Sequence, residues 1–451
     1  METYTGEWQS SPIKIHAYNL LPVKGEFRKQ VSHLILENEC SFTWNIDIPE
    51  SNEYAVIIVY STNAEGNISF EVNGSHAFSQ TLPETKGLVY PYAGEWHQIN
   101  FVRKTTGGKL SLEKGAQEIT VKVSPGENGS NFLIHTFELI PATDSEKIIA
   151  ETERIVLQRA DASWLASVPY GLMFHWTSEA SPQKGKPLPF ADAVRNFDVT
   201  QFANMVQEAG AGYVIFTIGH AEAYCPAPIQ SWEQYHPGTT TNRDLIAEIA
   251  DELAKRDIKL ITYFAVHVFA QHLDSKEFMR VSTDILNEIG QRYGEKIAGY
   301  WFDGWYQCIE EHPDLSMDSF YTAAKTGNPG RIIALNTWTY PAFTQRQDYW
   351  AGETYSDCSA PSSRIIKEGP GAGLPFQALL ALEGDWVYAR SQYPDDKPIP
   401  APVLDIQYMT NLVKSCKGKG PVTFNLLIYQ DGTVSEQSMQ FIRQLKKNIA
   451  Q

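Results

Sequence analysis

The chain has no long apolar run. Nothing in its 451 residues approaches the ~18 consecutive apolar positions that a membrane-crossing helix needs. Positive charge is in short supply: 37 Lys and Arg stand against 53 Asp and Glu, a formal net charge of -16. A surface that negative repels phosphate backbones, which argues against nucleic acid as a partner. Cysteine is scarce as well. Cys40, Cys225, Cys308, Cys358 and Cys416 are odd in number and form no CxxC pair. Neither a zinc site nor a disulfide framework is expected, and at most one or two bridges could form. There is no HExxH, and no GxGxxG or GxxxxGK[ST] follows the first strand of the second half. No metal or cofactor is therefore expected. METYTGEWQS lacks an apolar leader core. The compartment reads as secreted or periplasmic with the leader removed; a cytoplasmic location is the alternative.

What is present divides in two. Up to residue 142 the chain is a succession of short stretches rich in β-branched and aromatic residues, among them EYAVIIVYST, NISFEVNG, KLSLEKG, QEITVKVS and NFLIHTFELI. Gly, Asn and Pro turns separate them, the pattern of an antiparallel β-sandwich. Residues 143–168 predict a helical connector. From 169 to 451 strands and helices alternate: YGLMFHW, GYVIFTIG, KLITYFAVHV, IAGYWFDGW and RIIALNTW read as strands, with amphipathic helices between them. These strands are continuously apolar rather than alternating, as expected of parallel strands covered on both faces. The fold class is therefore α/β, a (β/α)8 TIM-like barrel preceded by an all-β sandwich; a doubly wound sheet is the other fold such alternation allows.

In a barrel the chemistry lies at the C-terminal ends of the strands. Those ends read Phe174-His175-Trp176, then Gly219-His220 with Glu222 and Tyr224, then Tyr263 with His267. Next come Trp301-Phe302-Asp303-Gly304-Trp305 and Asn336-Thr337-Trp338. Two later pieces carry Asp348 with Glu353, and Glu383 with Asp385, Trp386 and Tyr388. A lone histidine at a strand end is usually structural. Histidines, a tyrosine, tryptophans and an acid at successive ends suggest a site instead. The set suits glycoside hydrolysis, which needs two carboxyl groups at the anomeric carbon. Aromatics would stack on the sugar face and the histidines would donate to its hydroxyls.

Four stretches then show a family resemblance in chain order. Gly171-Leu172-Met173-Phe174-His175-Trp176-Thr177 is similar to a G-L-F-x-H-W-G opening. FDVTQFANMVQEAGAGYVIFT follows a helix–strand motif. Trp301-Phe302-Asp303-Gly304 stands as W-F-D-G, and Asn425-Leu426-Leu427-Ile428-Tyr429-Gln430-Asp431-Gly432 is similar to an N-L-L-L-N-x-G-P-x-x-D-G ending. Over residues 168–450 the chain resembles the α-L-fucosidases of glycoside hydrolase family 29. The resemblance implies a retaining exo-α-glycosidase that releases a terminal fucose-like sugar from an oligosaccharide. Asp303 would be the nucleophile. Glu353 would be the acid/base, with Glu383 second and Asp348 and Glu222 behind it. His175, His220, Tyr263 and Trp301 would line the sugar pocket, joined by Trp176, Glu222, Glu383 and Trp386. One departure stands out. Where the family reads K-H-H-D-G-F-C, this chain has Gly219-His220-Ala221-Glu222-Ala223-Tyr224-Cys225, so the sugar could be galacto-configured or unusual. A degenerate barrel that binds sugar without turnover is the rival reading. The sandwich loosely resembles a carbohydrate-binding module, through Asn73-Gly74 and Trp96, or else only buttresses the barrel. Sequons stand at Asn67, Asn73 and Asn128.

Overall fold

A computed structural model describes residues 13–17, 21–29, 33–85, 101–126, 131–270, 273–312, 317–338, 340, 342–353, 363–367, 370–393 and 397–451. Trp96, Asn128 and Cys358 lie outside the described residues. Cys40, Cys225, Cys308 and Cys416 are buried thiols. No helix among the described residues is long and apolar enough to cross a membrane.

The first eleven strands are β1 (Ile13–His16), β2 (Leu21–Lys24), β3 (Phe27–Lys29), β4 (Leu34–Leu36), β5 (Cys40–Ile48), β6 (Asn52–Thr62), β7 (Gly66–Val72), β8 (Ser75–Leu82), β9 (Val102–Leu112), β10 (Gly115–Ser124) and β11 (Phe132–Pro141). They form two antiparallel sheets. One runs β3-β4-β11-β6-β9 with β1 also on β11, and the other runs β2-β5-β10-β7-β8. In β10 alternate residues Ile119, Val121 and Val123 point into the core between the sheets, as a half-buried strand requires. In β11 nearly every residue is buried, so both its faces are covered. Phe132, Ile134 and Phe137 face the sandwich core, while Leu133 packs with Ile35, Val59, Phe101 and the barrel residue Tyr340. The outer face of this sheet thus docks on the barrel.

Helices α1 (Ser145–Val156) and α2 (Trp164–Ser167) follow. The remaining strands are β12 (Gly171–Phe174), β13 (Tyr213–Gly219), β14 (Lys259–Ala265), β15 (Ile297–Asp303), β16 (Ile332–Leu335), β17 (Ala378–Ala381) and β18 (Val422–Asn425). They form one parallel sheet in the order β16-β15-β14-β13-β12-β18-β17. Helices α3 (Phe190–Asn196), α4 (Val199–Ala209), α5 (Gln230–Tyr235), α6 (Leu245–Ala254), α7 (His267–Ala270), α8 (Ser275–Tyr293), α9 (Trp305–Glu311), α10 (Met317–Ala324), α11 (Ile406–Cys416) and α12 (Glu436–Ala450) come between and after them. Side chains of Asp198, Asp244, Asp274, Asp405 and Ser435 accept a first-turn N–H at the starts of α4, α6, α8, α11 and α12, which supplies an otherwise orphaned donor with a partner. Inward residues such as Ile215, Ile261, Ala334 and Leu379 fill the sheet's concave interior. Outward ones such as Val214, Phe216 and Phe264 pack under the helices.

The stretch 348–350 spans the gap between β16 and β17. Asp348 N–H donates to Ile333 O at 2.7 Å, and Trp350 N–H donates to Pro375 O at 2.9 Å. Trp350 also makes a parallel bridge with Phe376. This irregular piece occupies the sixth strand position and completes the ring of eight. Asp348 anchors it. Its buried carboxylate accepts from Ala160 N–H (2.7 Å), Tyr321 Oη (3.0 Å), Lys325 Nζ (2.7 Å) and Ile333 N–H (2.8 Å). It is a structural hub rather than an acid free to react. Replacing Asp348 by Ala strands the Lys325 ammonium in the interior, and removing one partner of a buried ion pair costs about 3–5 kcal/mol. The expected outcome is a loss of that size in denaturant unfolding; a loss below ~1 kcal/mol would contradict the ring-closing role.

Candidate active site

Strand register builds the site. Phe302 on β15 pairs Leu335 on β16, and Asn336 N–H donates to Phe302 O at 2.7 Å. Asn336 therefore comes beside Asp303. Its Nδ2 donates to Asp303 Oδ1 at 2.7 Å and also to Glu353 Oε2. One carboxamide nitrogen thus holds both carboxylates. Two oxygens bonded to one nitrogen lie no more than ~6 Å apart, twice a hydrogen-bond length.

Asp303 accepts two further bonds, from Tyr263 Oη to Oδ2 (2.5 Å) and from Gly304 N–H to Oδ1 (2.8 Å). Gly304 is required at its position. Its φ is +80°, and a Cβ there would run into His267 Nδ1. Glu353 reaches Asn336 because Gly352, at φ +68°, turns the chain tightly against Gln377 O, where no Cβ fits. Burial pushes the Glu353 carboxyl up to about 8; the Asp303 charge adds to this and the Asn336 hydrogen bond opposes it.

Aromatic rings form the wall on the Asp303 side. Tyr263 stacks on Trp301 with ring centres 5.4 Å apart and on His220 at 5.6 Å, and it meets His175 edge-on at 4.6 Å. Trp386 stands 6.1 Å from the His175 ring. Trp301 Nε1 donates to Ala351 O at 3.2 Å and Gln377 Oε1 at 3.3 Å. Burial, reinforced by His220, lowers His175 to about 4, so its imidazole is neutral at working pH. Its tautomer follows from Asn425. That amide donates through Nδ2 to Asp385 O (3.1 Å) and Trp386 O (3.0 Å), so its Oδ1 faces His175 Nδ1 at 2.8 Å. His175 therefore carries its proton on Nδ1 and presents a bare Nε2. Toward a ligand it is an acceptor, where the sequence suggested a donor. His220 Nδ1 lies 3.3 Å from Glu222 Oε2. Burial opposes ionisation of Glu222, but the His220 contact outweighs it and lowers the carboxyl.

Not every candidate gathers here. Trp176 is buried in the outer layer against Phe190, Phe197 and Phe216, with Nε1 donating to Gln430 O at 3.1 Å. Glu383 is buried between β18 and α12, where it accepts from Leu427 N–H at 3.0 Å and from the Ser438 hydroxyl. Asp348 is the hub described above. His267 opens α7 rather than ending β14, and burial lowers it. Asn336 and Asn425, by contrast, went unassigned in the sequence. Asn336 sits at a strand end, but an amide carries no titratable group to mark it. Asn425 opens the last motif.

Burial pushes Glu383 up to about 7, against about 4.3 for a glutamate in an unfolded chain. The folded state therefore keeps a proton that the unfolded chain releases. The contribution is complete below the unfolded value and fades as pH rises through 7. Glu383→Gln should flatten the fall in stability between pH 5 and pH 7.5 relative to the parent, read by denaturant unfolding at both. Parallel losses in the two proteins would contradict the assignment.

Comparison with known proteins places the chain. Residues 189–447 match the model of a family described as alpha-L-fucosidase, and residues 31–143 match one described as delta endotoxin. Human tissue alpha-L-fucosidase is 27% identical over 168 residues, covering 31% of this chain and 34% of the human protein. A putative alpha-L-fucosidase of Caenorhabditis elegans is 26% identical over 125 residues, 26% of each chain. The matched region spans about a third or less of these relatives. A crystal structure of a GH29 alpha-L-fucosidase from Bacteroides thetaiotaomicron shares 18% identity at a TM-score of 0.45, over 64% of this chain and 73% of that one. Because the first of these matches takes in more than half of its residues, the chain belongs to the alpha-L-fucosidase family.

Proposed function

We propose that this protein is a retaining exo-α-L-fucosidase that removes a terminal fucose, or a close relative of fucose, from an oligosaccharide. The observation that carries the reading is the shared Asn336 nitrogen. It holds one oxygen of each carboxyl group within ~6 Å of the other, short of the ~6.5–9.5 Å of inverting enzymes, which leave room for water, and compatible with the ~5–5.5 Å of retaining ones. Asp303, oriented by Tyr263, Asn336 and Gly304, attacks the anomeric carbon. Glu353, still protonated at neutral pH, gives its proton to the departing oxygen. Once the aspartyl ester has formed, the same carboxylate takes a proton from the water that attacks it. His175 Nε2 accepts from a sugar hydroxyl, and the Trp301 and Trp386 faces border the ring. His220 and Glu222 stand where Ala221 leaves out the family's second histidine, and they select the sugar's configuration. The substrate reaches a secreted or periplasmic enzyme. Functionally the chain divides into sandwich (1–142), connector (143–168) and barrel (169–451).

Asp303→Asn should reduce turnover of an aryl α-L-fucoside by ~10⁴-fold or more, the scale seen when a nucleophile is deleted. Glu353→Ala should lose ~10²–10⁴-fold, the range of general acid–base catalysis. Azide should restore that rate and give the azide of retained configuration. Full activity in the Asp303 variant would overturn the reading. The pH profile follows from the raised Glu353. Its protonated form is present below pH 8 and lost above, so kcat/KM should decline on an alkaline limb near pH 8. An alkaline limb near pH 4–5, the ordinary glutamate range, would contradict Glu353 as the acid.

A further inference from the structure

Two further aromatic rings follow Asp303 and Asn336 closely along the chain. Tyr306 stands in the first turn of α9, three residues after Asp303, and Trp338 lies two residues after Asn336; both are partly exposed. Their ring centres are 5.6 Å apart. Trp338 N–H donates to Asn336 Oδ1 at 3.1 Å, on the carboxamide whose nitrogen holds Asp303 and Glu353. Trp338 has φ +52°. That left-handed backbone is an outlier for a bulky aromatic residue, and such outliers persist where the surroundings enforce them, often at ligand clamps. The surroundings here are well built. Tyr340, two residues on, is buried against the sandwich, stacked on Phe101 at 5.0 Å and 4.6 Å from His135. Tyr306 packs on the same cluster. The sandwich thus fixes the loop that carries Trp338.

We infer that Trp338 and Tyr306 form the leaving-group subsite, a pair of rings that receives the apolar face of the ring attached to the departing oxygen. In a natural substrate that ring is a pyranose. The inference rests on the fucosidase reading and extends it. In a double displacement the acid must lie on the leaving-group side, opposite the attacking carboxylate. Trp338, whose backbone is bonded to the amide that holds the acid, and Tyr306 beside it are therefore assigned to the leaving group, and His175 and His220 to the sugar. Burial raises the Tyr306 phenol, and the Asp303 and Glu353 charges add to this, consistent with its ring lying near both acids. The sandwich becomes part of the substrate path rather than a remote appendage.

The test compares two substrates that share the sugar but differ in the leaving group: 4-nitrophenyl α-L-fucoside, which has a ring, and α-L-fucosyl fluoride, which has none. Trp338→Gly suits the positive φ and removes the ring. The quotient of kcat/KM for the aryl substrate over that for the fluoride should fall by about ten-fold, the scale of a lost ring contact, and Trp338→Phe should restore most of it. Should Trp338→Gly fail to fold, Tyr306→Leu reads the same quotient. A quotient that stays constant, whether both rates fall together or neither changes, would overturn the subsite; a joint fall would mean that Trp338 only positions Asn336. A parent protein inert on both substrates would instead overturn the glycosidase reading, and the subsite with it.

Discussion

Two negative charges held by a single amide cannot both be present at little cost. At a separation of ~5 Å and an effective dielectric of ~20, two unit charges repel by about 3 kcal/mol. The site relieves that repulsion by keeping one proton, on Glu353, the more weakly hydrogen-bonded of the two. Asp303 has three donors around it. The two carboxyl groups are thus distinguished by their surroundings rather than by residue type. The rest of the local structure follows from holding that amide in place. The β15–β16 register delivers it, Gly304 and Gly352 bring the carboxylates to it, and Asp348 locks the irregular sixth position from which Glu353 emerges.

The sandwich belongs to the same construction. A central strand buried on both faces needs a second layer on its outer side, and the barrel loop around Tyr340 supplies part of it. Arg103 and Glu138 form an ion pair at 2.7 Å on two of this sheet's strands, both side chains nearly excluded from water. His135, which burial lowers to about 3, stays neutral there. A buried charge needs a partner and a buried imidazole needs to be uncharged. This surface is therefore an interface by composition.

Much of this was legible in the residues. Continuous apolar runs in 169–451 marked parallel strands, and the strand-end rule led to Asp303, His175, His220, Tyr263 and Trp301. Glu353 was singled out through a motif alone, because the segment before it is not a regular strand. Three features escaped for physical reasons. Asn336 is an amide whose importance lies in what it touches across strands. Trp176 and Trp301 are both tryptophans at a strand end, but consecutive residues face opposite sides of a sheet, and a shift of one position sends the ring into the outer layer. Glu383 shares the chemistry of Glu353, and only its partners, Leu427 and Ser438, show that it serves the fold. The two-face burial of β11 was visible in NFLIHTFELI, where apolar residues do not alternate cleanly, although nothing local says what covers the second face.

On the proposed mechanism Asp303 becomes covalently bonded to the sugar. The most direct test is intact-protein mass spectrometry with a 2-fluoro fucoside carrying a good leaving group, whose ester breaks down slowly, followed by peptide mapping. The expected result is a single added fluorosugar on the peptide that contains Asp303, absent from Asp303→Asn. An adduct on another residue, or turnover of ordinary fucosides with no adduct trapped, would contradict it.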